Sequence, residues 1–411
     1  MQQMTSTRSL ERGEREERME RMERVDVAIV GAGPAGLSFA RSLSGSGLSV
    51  RLLEKQPLDA LRVPAFDGRE IALTHTSRGL LQALDIWARI APGEISPLRD
   101  ARVFNGPSLF ALDITAGDGR ESELGWLVPN DLIRKAAYDS VADCADVGIQ
   151  AGVGVKSIEQ VEGAGRVGLD GGGSVEARLV VAADSRFSET RRMMGIGAQM
   201  RDFGKTMMVC RVSHEHPHGH VAWEWFDYGQ TLALLPLNGD RASVVLTLPQ
   251  REMQRLQAMD DSALGRDFER RFDGRLGWMD VISRPHCYPL VGVYADRFVG
   301  PRYALLGDAA VGMHPVTAHG FNFGLLGQAR LSREILRAHR RGEDFAAPAV
   351  LARYQRGHRL ATRPLYLGTQ MIAGLYTDDR VPARLVRSTA LRLAHHVAPF
   401  RQLIAGHLTR G

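Results

Sequence analysis

The sequence predicts an α/β fold in which a parallel βαβ domain is interrupted by an antiparallel sheet and followed by a helical tail. Three observations predict it. The apolar run Val25–Val30 ends in Gly31-Ala32-Gly33-Pro34-Ala35-Gly36. A middle stretch alternates with period two on both sides of Asn238-Gly239-Asp240. A second apolar run, Tyr303–Leu306, delivers Gly307-Asp308.

The chain has 411 residues, more than one small core holds, so one elaborate domain or two intertwined ones are expected. Apolar content of 44% and charge of 24% fit a soluble globular protein. No run reaches the roughly 18–20 apolar residues of a membrane span. Cys144, Cys210 and Cys287 form no CxxC pair, so neither a disulfide framework nor a zinc site is expected. That places the chain in a reducing cytoplasm and predicts no metal. Residues 1–24, rich in Glu and Arg, lack the apolar core of a secretory signal and read as a disordered charged tail.

Val25–Val30 reads as a buried parallel strand and Pro34–Leu43 as the helix after it. Pro34 is tolerated in the first turn. Leu48–Leu53 closes the βαβ unit, and Glu54 stands at its carboxyl end, followed by Lys55. The glycines have separate tasks. Gly31 permits the strand-to-helix turn, Gly33 lets a pyrophosphate approach the backbone, and Gly36 lets helix and strand pack closely. The helix N-terminus offers Ala35 and its neighbours as donors to the anion. Glu54, 18 residues past Gly36, is placed to accept from a ribose diol. This Rossmann-like motif serves FAD and NAD alike.

Helices are expected over Arg78–Ala88 and Asp131–Ala142, the latter capped by Asn130 or Asp131. Short strands are expected at Val153–Ile158, Arg166–Leu169, Val175–Leu179 and Leu179–Ala183. His220–Phe226, Thr231–Leu237 and Ala242–Leu248 then read as an antiparallel sheet, the last two joined by the Asn238-Gly239-Asp240 hairpin turn. Alternation puts Trp223 and Trp225 on one face, as candidate walls of a substrate cavity. Helix returns from Leu325 to Arg341 and from Pro348 onward, with Pro364, Pro382 and Pro399 as punctuation.

The second glycine segment favours FAD. A carboxylate at Asp308 can accept from ribityl hydroxyls. Pro315 bends the chain toward a helix opening near Gly320. The N–H groups of Gly320, Phe321 and Asn322 can then point at the flavin pyrimidine edge, where they would stabilise reduced flavin.

With these segments, and with Ala183-Asp184-Ser185-Arg186-Phe187-Ser188-Glu189-Thr190-Arg191 between them, the chain resembles the FAD-dependent aromatic hydroxylases of the para-hydroxybenzoate hydroxylase fold. Within that group it looks most like the ubiquinone-biosynthesis hydroxylases. The carrying stretches are Arg69–Leu73, Leu232–Leu237, Tyr288–Leu290 and the arginine-rich tail. The best match is the flavin-type 5-demethoxyubiquinol hydroxylase branch. The resemblance implies that Asp184, Arg69 and Asn130 also line the FAD site. It implies that NAD(P)H reduces the FAD, that O2 adds at flavin C4a, and that the hydroperoxide hydroxylates a phenolic ring. The implied substrate is a polyprenylated phenol or quinol resident in membrane.

The chain departs from the family pattern at three places. Asp184-Ser185 replaces Asp-Gly, Val311 replaces His, and Ala318-His319-Gly320-Phe321-Asn322 replaces Gly-Gln-Gly-x-Asn. His319 is the one candidate acid or base. A hydroxylase of a small soluble phenol, or an idle flavin-binding accessory protein, are the alternatives that these departures keep open.

Residues 351–411 carry ten arginines against two acids. Such a block can meet an anionic membrane surface or a partner in a biosynthetic complex, peripherally at the inner membrane. No nucleic-acid partner is expected. The expected division is 25–100, 130–197 and 288–345 for the FAD-binding domain, 101–129 and 198–287 for the substrate domain, and 346–411 for the helical region.

Overall fold

Parallel strands buried on both faces build the first layer. The computed structural model describes residues 22–106, 111–116, 122–227, 229–314 and 320–377. The first sheet runs in the order Val299–Gly300, Tyr303–Leu305, Ser174–Ala182, Met22–Val30, Val50–Glu54, Val147–Ala151. Val155–Val161 and Ala164–Leu169 extend it antiparallel from Ser174–Ala182. Val27, Ile29, Leu52, Leu179 and Val181 are fully buried, as a sheet covered on both sides requires. The covering helix Pro34–Leu43 packs against the helix Gly320–Arg340.

Several boundaries differ from the sequence expectation. Met22–Arg24 pair with Ser174–Glu176, so the strand starts inside the segment read as a charged tail. One continuous strand, Ser174–Ala182, replaces two. The helix expected from Arg78 begins at His75, because the Thr74 side chain accepts from the Ser77 N–H and caps it there. It ends at Ala83, and Asp85 turns at φ 57°. Pro364 lies inside the helix Pro348–Thr377 without ending it. Its ring deprives the Leu360 carbonyl of a partner, but Leu360 is 78% exposed, so water can serve that oxygen. Pro382 and Pro399 lie outside the described residues.

The second sheet is antiparallel but for one pair. Its order is Val311–Gly312, His286–Ala295, Ala198–His214, Arg241–Pro249, Gln230–Pro236, Val221–Asp227, Asp100–Asn105, Ala111–Thr115. The strand Ala198–His214 has 17 residues and is paired along most of its length by His286–Ala295. The division expected at residue 288 therefore falls inside a strand of this sheet. Conversely, Gly125–Pro129 pairs with Glu70–Leu73 and Ser96–Leu98 in a separate three-stranded sheet.

The two faces of the second sheet have different covers. Met208, Cys210, Val212, Leu234, Val244 and Leu246 pack beneath the helices Gln250–Gln257 and Asp261–Arg271. The opposite face turns toward the three-stranded sheet and the loop that leads into it. There Arg211 pairs with Glu70 at 2.6 Å, and the Tyr288 hydroxyl donates to the Asp67 carbonyl at 2.7 Å. Burial pushes the Glu70 carboxyl above its ordinary range, against the pull of Arg211. Among the described residues no helix is long and apolar enough to cross a membrane.

Gly265 sets the distance between its helix and this sheet. A Cβ there would stand 2.2 Å from the Met279 carbonyl oxygen. Gly265→Ala is therefore expected to destabilise the protein by about 1–3 kcal/mol, through overpacking. Chemical denaturation would measure that loss, and an unchanged midpoint would contradict it.

Candidate functional site

Two glycine turns from opposite ends of the chain meet in space. Gly31 has φ 104°, and its N–H donates to the Leu53 carbonyl at 2.8 Å. A Cβ at Gly31 would stand 2.6 Å from the Ala183 carbonyl oxygen, and one at Gly36 would stand 2.0 Å from the Gly31 oxygen. A Cβ at Gly33 would meet nothing within 4 Å. The helix N-terminus above Gly33 thus faces open space. No side chain caps it, and Pro34 occupies the position whose N–H would lack a partner. Glu54 stands beside this turn. Its Oε2 accepts from the Ala32 N–H at 2.7 Å and its Oε1 from the Gln56 N–H at 2.8 Å. Lys55 follows, exposed.

The second turn arrives from the other side. Gly307 has φ 57°, and a Cβ there would stand 3.1 Å from the Ala35 Cβ. A Cβ at Gly324, in the helix Gly320–Arg340, would stand 3.6 Å from the Gly307 Cα. A Cβ at Gly320 would face Asp308 Oδ1 at 4.0 Å. Ala35, Gly307, Asp308, Gly320 and Gly324 therefore share one place.

The middle motif ties the turns together. Asp184 accepts from the Ser188 hydroxyl and from the Thr190 N–H, closing its own loop. Ser185 sits at φ 91°, the conformation that glycine adopts freely. Arg186 donates to Asp308 Oδ2 from Nε at 3.1 Å and Nη2 at 2.8 Å, and to the Val291 carbonyl from Nη1. Arg191 is 2% exposed and donates to the Ala309 carbonyl at 2.9 Å. Burial holds its guanidinium below the ordinary arginine range.

Arg69 and Asn130 converge on Asp67, which the sequence reading did not single out. Arg69 pairs with it at 2.6 Å, and Asn130 Nδ2 donates to it at 2.8 Å. Burial opposes the charge on Asp67, but Arg69 and Asn130 outweigh it and hold the carboxyl below its usual range. Arg69 also stands over the Tyr288 ring, 5.5 Å from its centre. The Asx-type bond from the Arg69 N–H to Asp67 Oδ1 was the local signal available for Asp67.

The Asn322 side chain has a task besides the backbone role expected of it. It accepts from the Thr74 N–H and donates to the Ala72 carbonyl, splicing the helix Gly320–Arg340 to the strand Glu70–Leu73. Phe321 is half-buried against the first core. Pro315 and His319 lie outside the described residues. His314, just before them, is pushed down to about 4 by burial, with Lys205, Arg186 and Arg201 adding to the effect. Val311 is buried and pairs with Tyr294. Among the described residues no cluster of His, Cys, Asp or Glu can hold a metal ion.

Trp223 and Trp225 point to the helix-covered face of the second sheet, where Trp225 borders a cavity of about 400 Å³ with Gly106, Gln230, Asp267 and Arg271. Trp225 is 5% exposed, lies against Phe104 with ring centres 5.0 Å apart and planes tilted by 33°, and donates from Nε1 to the Gly106 carbonyl. Trp223 packs against Phe272 at 6.1 Å. Both belong to the core beneath the helix Asp261–Arg271.

The family model described as FAD binding domain matches residues 24–364. A ubiquinone hydroxylase, UbiM, of Neisseria meningitidis is 46% identical over 93% of this chain and 84% of its own length. The chain belongs to the ubiquinone hydroxylase family of FAD-dependent monooxygenases. The ubiquinone hydroxylase UbiL of Rhodospirillum rubrum is 32% identical over 93% of this chain and 89% of its own. In fold it is similar to p-nitrophenol 4-monooxygenase from Pseudomonas putida, with a TM-score of 0.76 at 18% identity, covering 95% of this chain and 99% of the other.

The geometry fits the FAD of this monooxygenase family. The open space at Gly33 admits a pyrophosphate to an uncapped helix N-terminus. Asp308 Oδ1 faces the opening of a second helix, while Arg186 holds Oδ2.

The strain at Ser185 has a measurable size. A non-glycine residue in this region costs about 1–2 kcal/mol. Ser185→Gly relieves it, and the extra freedom of glycine in the unfolded chain returns part of the gain. The expected net stabilisation is up to about 1 kcal/mol, read by thermal denaturation of the FAD-loaded protein. A destabilised variant would show that the Ser185 hydroxyl has a role of its own.

Proposed function

We propose that this monooxygenase hydroxylates the ring of a polyprenylated phenol or quinol in ubiquinone biosynthesis, at C5 of a demethoxyubiquinol. The observation that carries this reading is the 46% identity to a ubiquinone hydroxylase over 93% of the chain.

When bound, FAD supplies the redox chemistry that activates O2, with NAD(P)H as reductant. The residues of the chain bind and orient it. Gly31, Gly33, Pro34, Ala35 and Gly36 present the first helix to the pyrophosphate. Glu54, with Lys55 beside it, serves the ribose end. Asp184, Asp308, Arg69 and Asn130 serve the flavin half, directly or by holding its neighbours. The backbone at Gly320, Phe321 and Asn322, opening a helix, favours negative charge on the reduced ring. His319 and Pro315 belong to the same segment by position.

The substrate class requires a lipid-facing surface. The outward side of the helix Pro348–Thr377 carries Arg353, Arg356, Leu360, Arg363, Leu367 and Met371, all exposed. Leu360 is 78% and Met371 75% exposed. Basic side chains near anionic lipid contribute about 1 kcal/mol each. This stripe supports a cytoplasmic protein held peripherally at the inner membrane. A direct check is flotation with vesicles containing phosphatidylglycerol. Binding that falls with salt, and falls further in Leu360→Asp/Leu367→Asp, is expected. Protein that stays unbound at low salt would remove this part of the reading.

The chemistry is tested without oxygen. Purified protein is mixed with NADH or NADPH, with and without 2-geranylphenol. The visible flavin band is expected to bleach, faster with the phenol. A bound flavin that stays oxidised in every mixture would overturn the hydroxylase reading in favour of an accessory role.

A further inference from the structure

Between the strands Ala198–His214 and Val221–Asp227 the chain reads His214-Glu215-His216-Pro217-His218-Gly219-His220, with a histidine at every second position. Three of the four rings gather. The ring centres of His214 and His218 are 5.1 Å apart, and those of His218 and His220 are 5.4 Å apart. His214 is 1% and His218 6% exposed. The turn that brings them together is strained. Gly219 sits at φ 61° and His220 at φ 60°, a region that glycine adopts freely and other residues rarely. His218 closes this turn twice. Its carbonyl accepts from the Val221 N–H at 3.1 Å, and its Nδ1 accepts from the His220 N–H at 3.0 Å.

The other side of the His218 ring fixes its hydrogen. Nε2 stands 2.9 Å from the Leu237 carbonyl oxygen and 3.1 Å from the Arg241 carbonyl oxygen. Both oxygens only accept, so Nε2 carries the hydrogen and donates it. Nδ1 faces a backbone N–H and is therefore bare. One neutral ring thus closes the turn and ties it to the hairpin Leu237–Arg241. A second proton has one place to go, Nδ1, where it would confront the His220 N–H. The surroundings offer such a charge little. Among the described residues neither nitrogen of His214 has a hydrogen-bond partner, and neither has Nδ1 of His220. Asp240, whose carbonyl accepts from the His214 N–H, favours a charge on His214. Arg99, whose N–H donates to the His220 carbonyl, opposes one on His220. Arg241 donates from Nε to the Asn238 carbonyl and is bordered by Glu70, Glu94 and Arg211. Glu215 accepts from the Trp278 N–H, and His216 is exposed. Asp280 pairs with Ser213, on the side of the sheet away from His214. Burial holds all three gathered rings below the ordinary histidine range, and His214 and His220 lower His218 further.

We propose that His218 is a pH-sensitive clasp, which when neutral holds the strained turn and pins it to the hairpin Leu237–Arg241, and when protonated releases both. The proton is taken up on Nδ1, and the bond from the His220 N–H is lost. Nothing then holds His220 in its left-handed conformation, and the ring leaves the Leu237 and Arg241 carbonyls as the turn opens. The opening is local. It frees the corner where Ala198–His214 ends and Val221–Asp227 begins, far along the chain from the glycine turns. Its direction with pH follows from the burial of the rings. Histidines of an open turn titrate near the ordinary value of about 6.5, whereas the closed rings refuse a proton until lower pH. The clasp is therefore fully closed above about pH 6.5 and weakens as the pH falls below it.

The test is hydrogen exchange of the FAD-loaded protein at about pH 7.5 and about pH 5.5, read by mass spectrometry and corrected for the intrinsic pH dependence of exchange. In the wild type, protection of peptides covering 214–221 and 237–241 is expected to fall roughly 10-fold on acidification, the effect of one ring shifted by about one pH unit. The strand Met22–Val30 should keep its protection. His218→Gln keeps a donor for the two carbonyls and cannot titrate, and His218→Asn keeps an acceptor for the His220 N–H. Both are expected to lose most of the pH dependence. Wild-type protection that is equal at both pH values overturns the proposal. So does a fall that both variants retain in full, or one that spreads equally to Met22–Val30. A second measurement needs no variant. In 15N-histidine NMR of the wild type at neutral pH, one ring is expected to be locked with its hydrogen on Nε2 and Nδ1 bare. Spectra with no ring in that state overturn the clasp.

Discussion

The architecture depends on backbone meeting backbone where no Cβ stands between. Gly36 lies against the Gly31 carbonyl so closely that a methyl group would overlap it, and a methyl group at Gly31 would in turn crowd the Ala183 carbonyl. These contacts draw the first helix onto the strand Met22–Val30 and bring the strand Ser174–Ala182 alongside. The helix N-terminus is left pointing into space, at the place where Gly307 also arrives. A residue with a side chain at Gly31 or Gly36 would push the helix outward and move its donors away from the second turn. The anion site and the fold are thus one constraint, because the same close packing builds both.

Charge then holds what the glycines bring together. Arg186 bridges Asp308 and the Val291 carbonyl, joining the second glycine turn to the sheet that carries the strand His286–Ala295. Arg191, buried among carbonyls, fixes the loop that carries Arg186. Glu70 and Arg211 join the three-stranded sheet to the second sheet. A buried pair of this kind is not a large source of stability, because desolvation offsets much of the attraction. Its geometry still matters. Removing either partner would leave a buried charge alone, so the relative placement of the layers is strongly specified.

The sequence showed the βαβ unit, the hairpin turn and both glycine segments, because each has a local cause. The strand–glycine–helix pattern needs nothing from the rest of the chain. The helix Pro34–Leu43 accordingly has the bounds that its proline and apolar spacing predict. Asp67 was not visible, since its partners Arg69, Asn130 and Tyr288 come from three segments and only the shortest link is local. The edge of the second sheet was misplaced for a similar reason. Nothing in residues 288–295 says which neighbour they will pair with. That is decided by the strand Ala198–His214, which pairs with Arg241–Pro249 along one edge and leaves the other edge for His286–Ala295.

Trp223 and Trp225 show where pattern reading stops. Alternation places them together and opposite Glu224, and the register agrees. It does not say which face is buried under helices. That depends on the helices Gln250–Gln257 and Asp261–Arg271, which come later in the chain and pack back across the sheet. Two large rings are as suitable for a cavity wall as for a core, so composition cannot choose between the two. The carboxylate between them can. A glutamate placed under those helices would sit among Leu264, Phe268 and Phe272, apolar side chains that offer its charge no partner. On the other side it keeps accessible area among small and apolar neighbours. The polar residue of the triplet, and not the aromatic pair, carries the information about which side of the strand lies away from the helices.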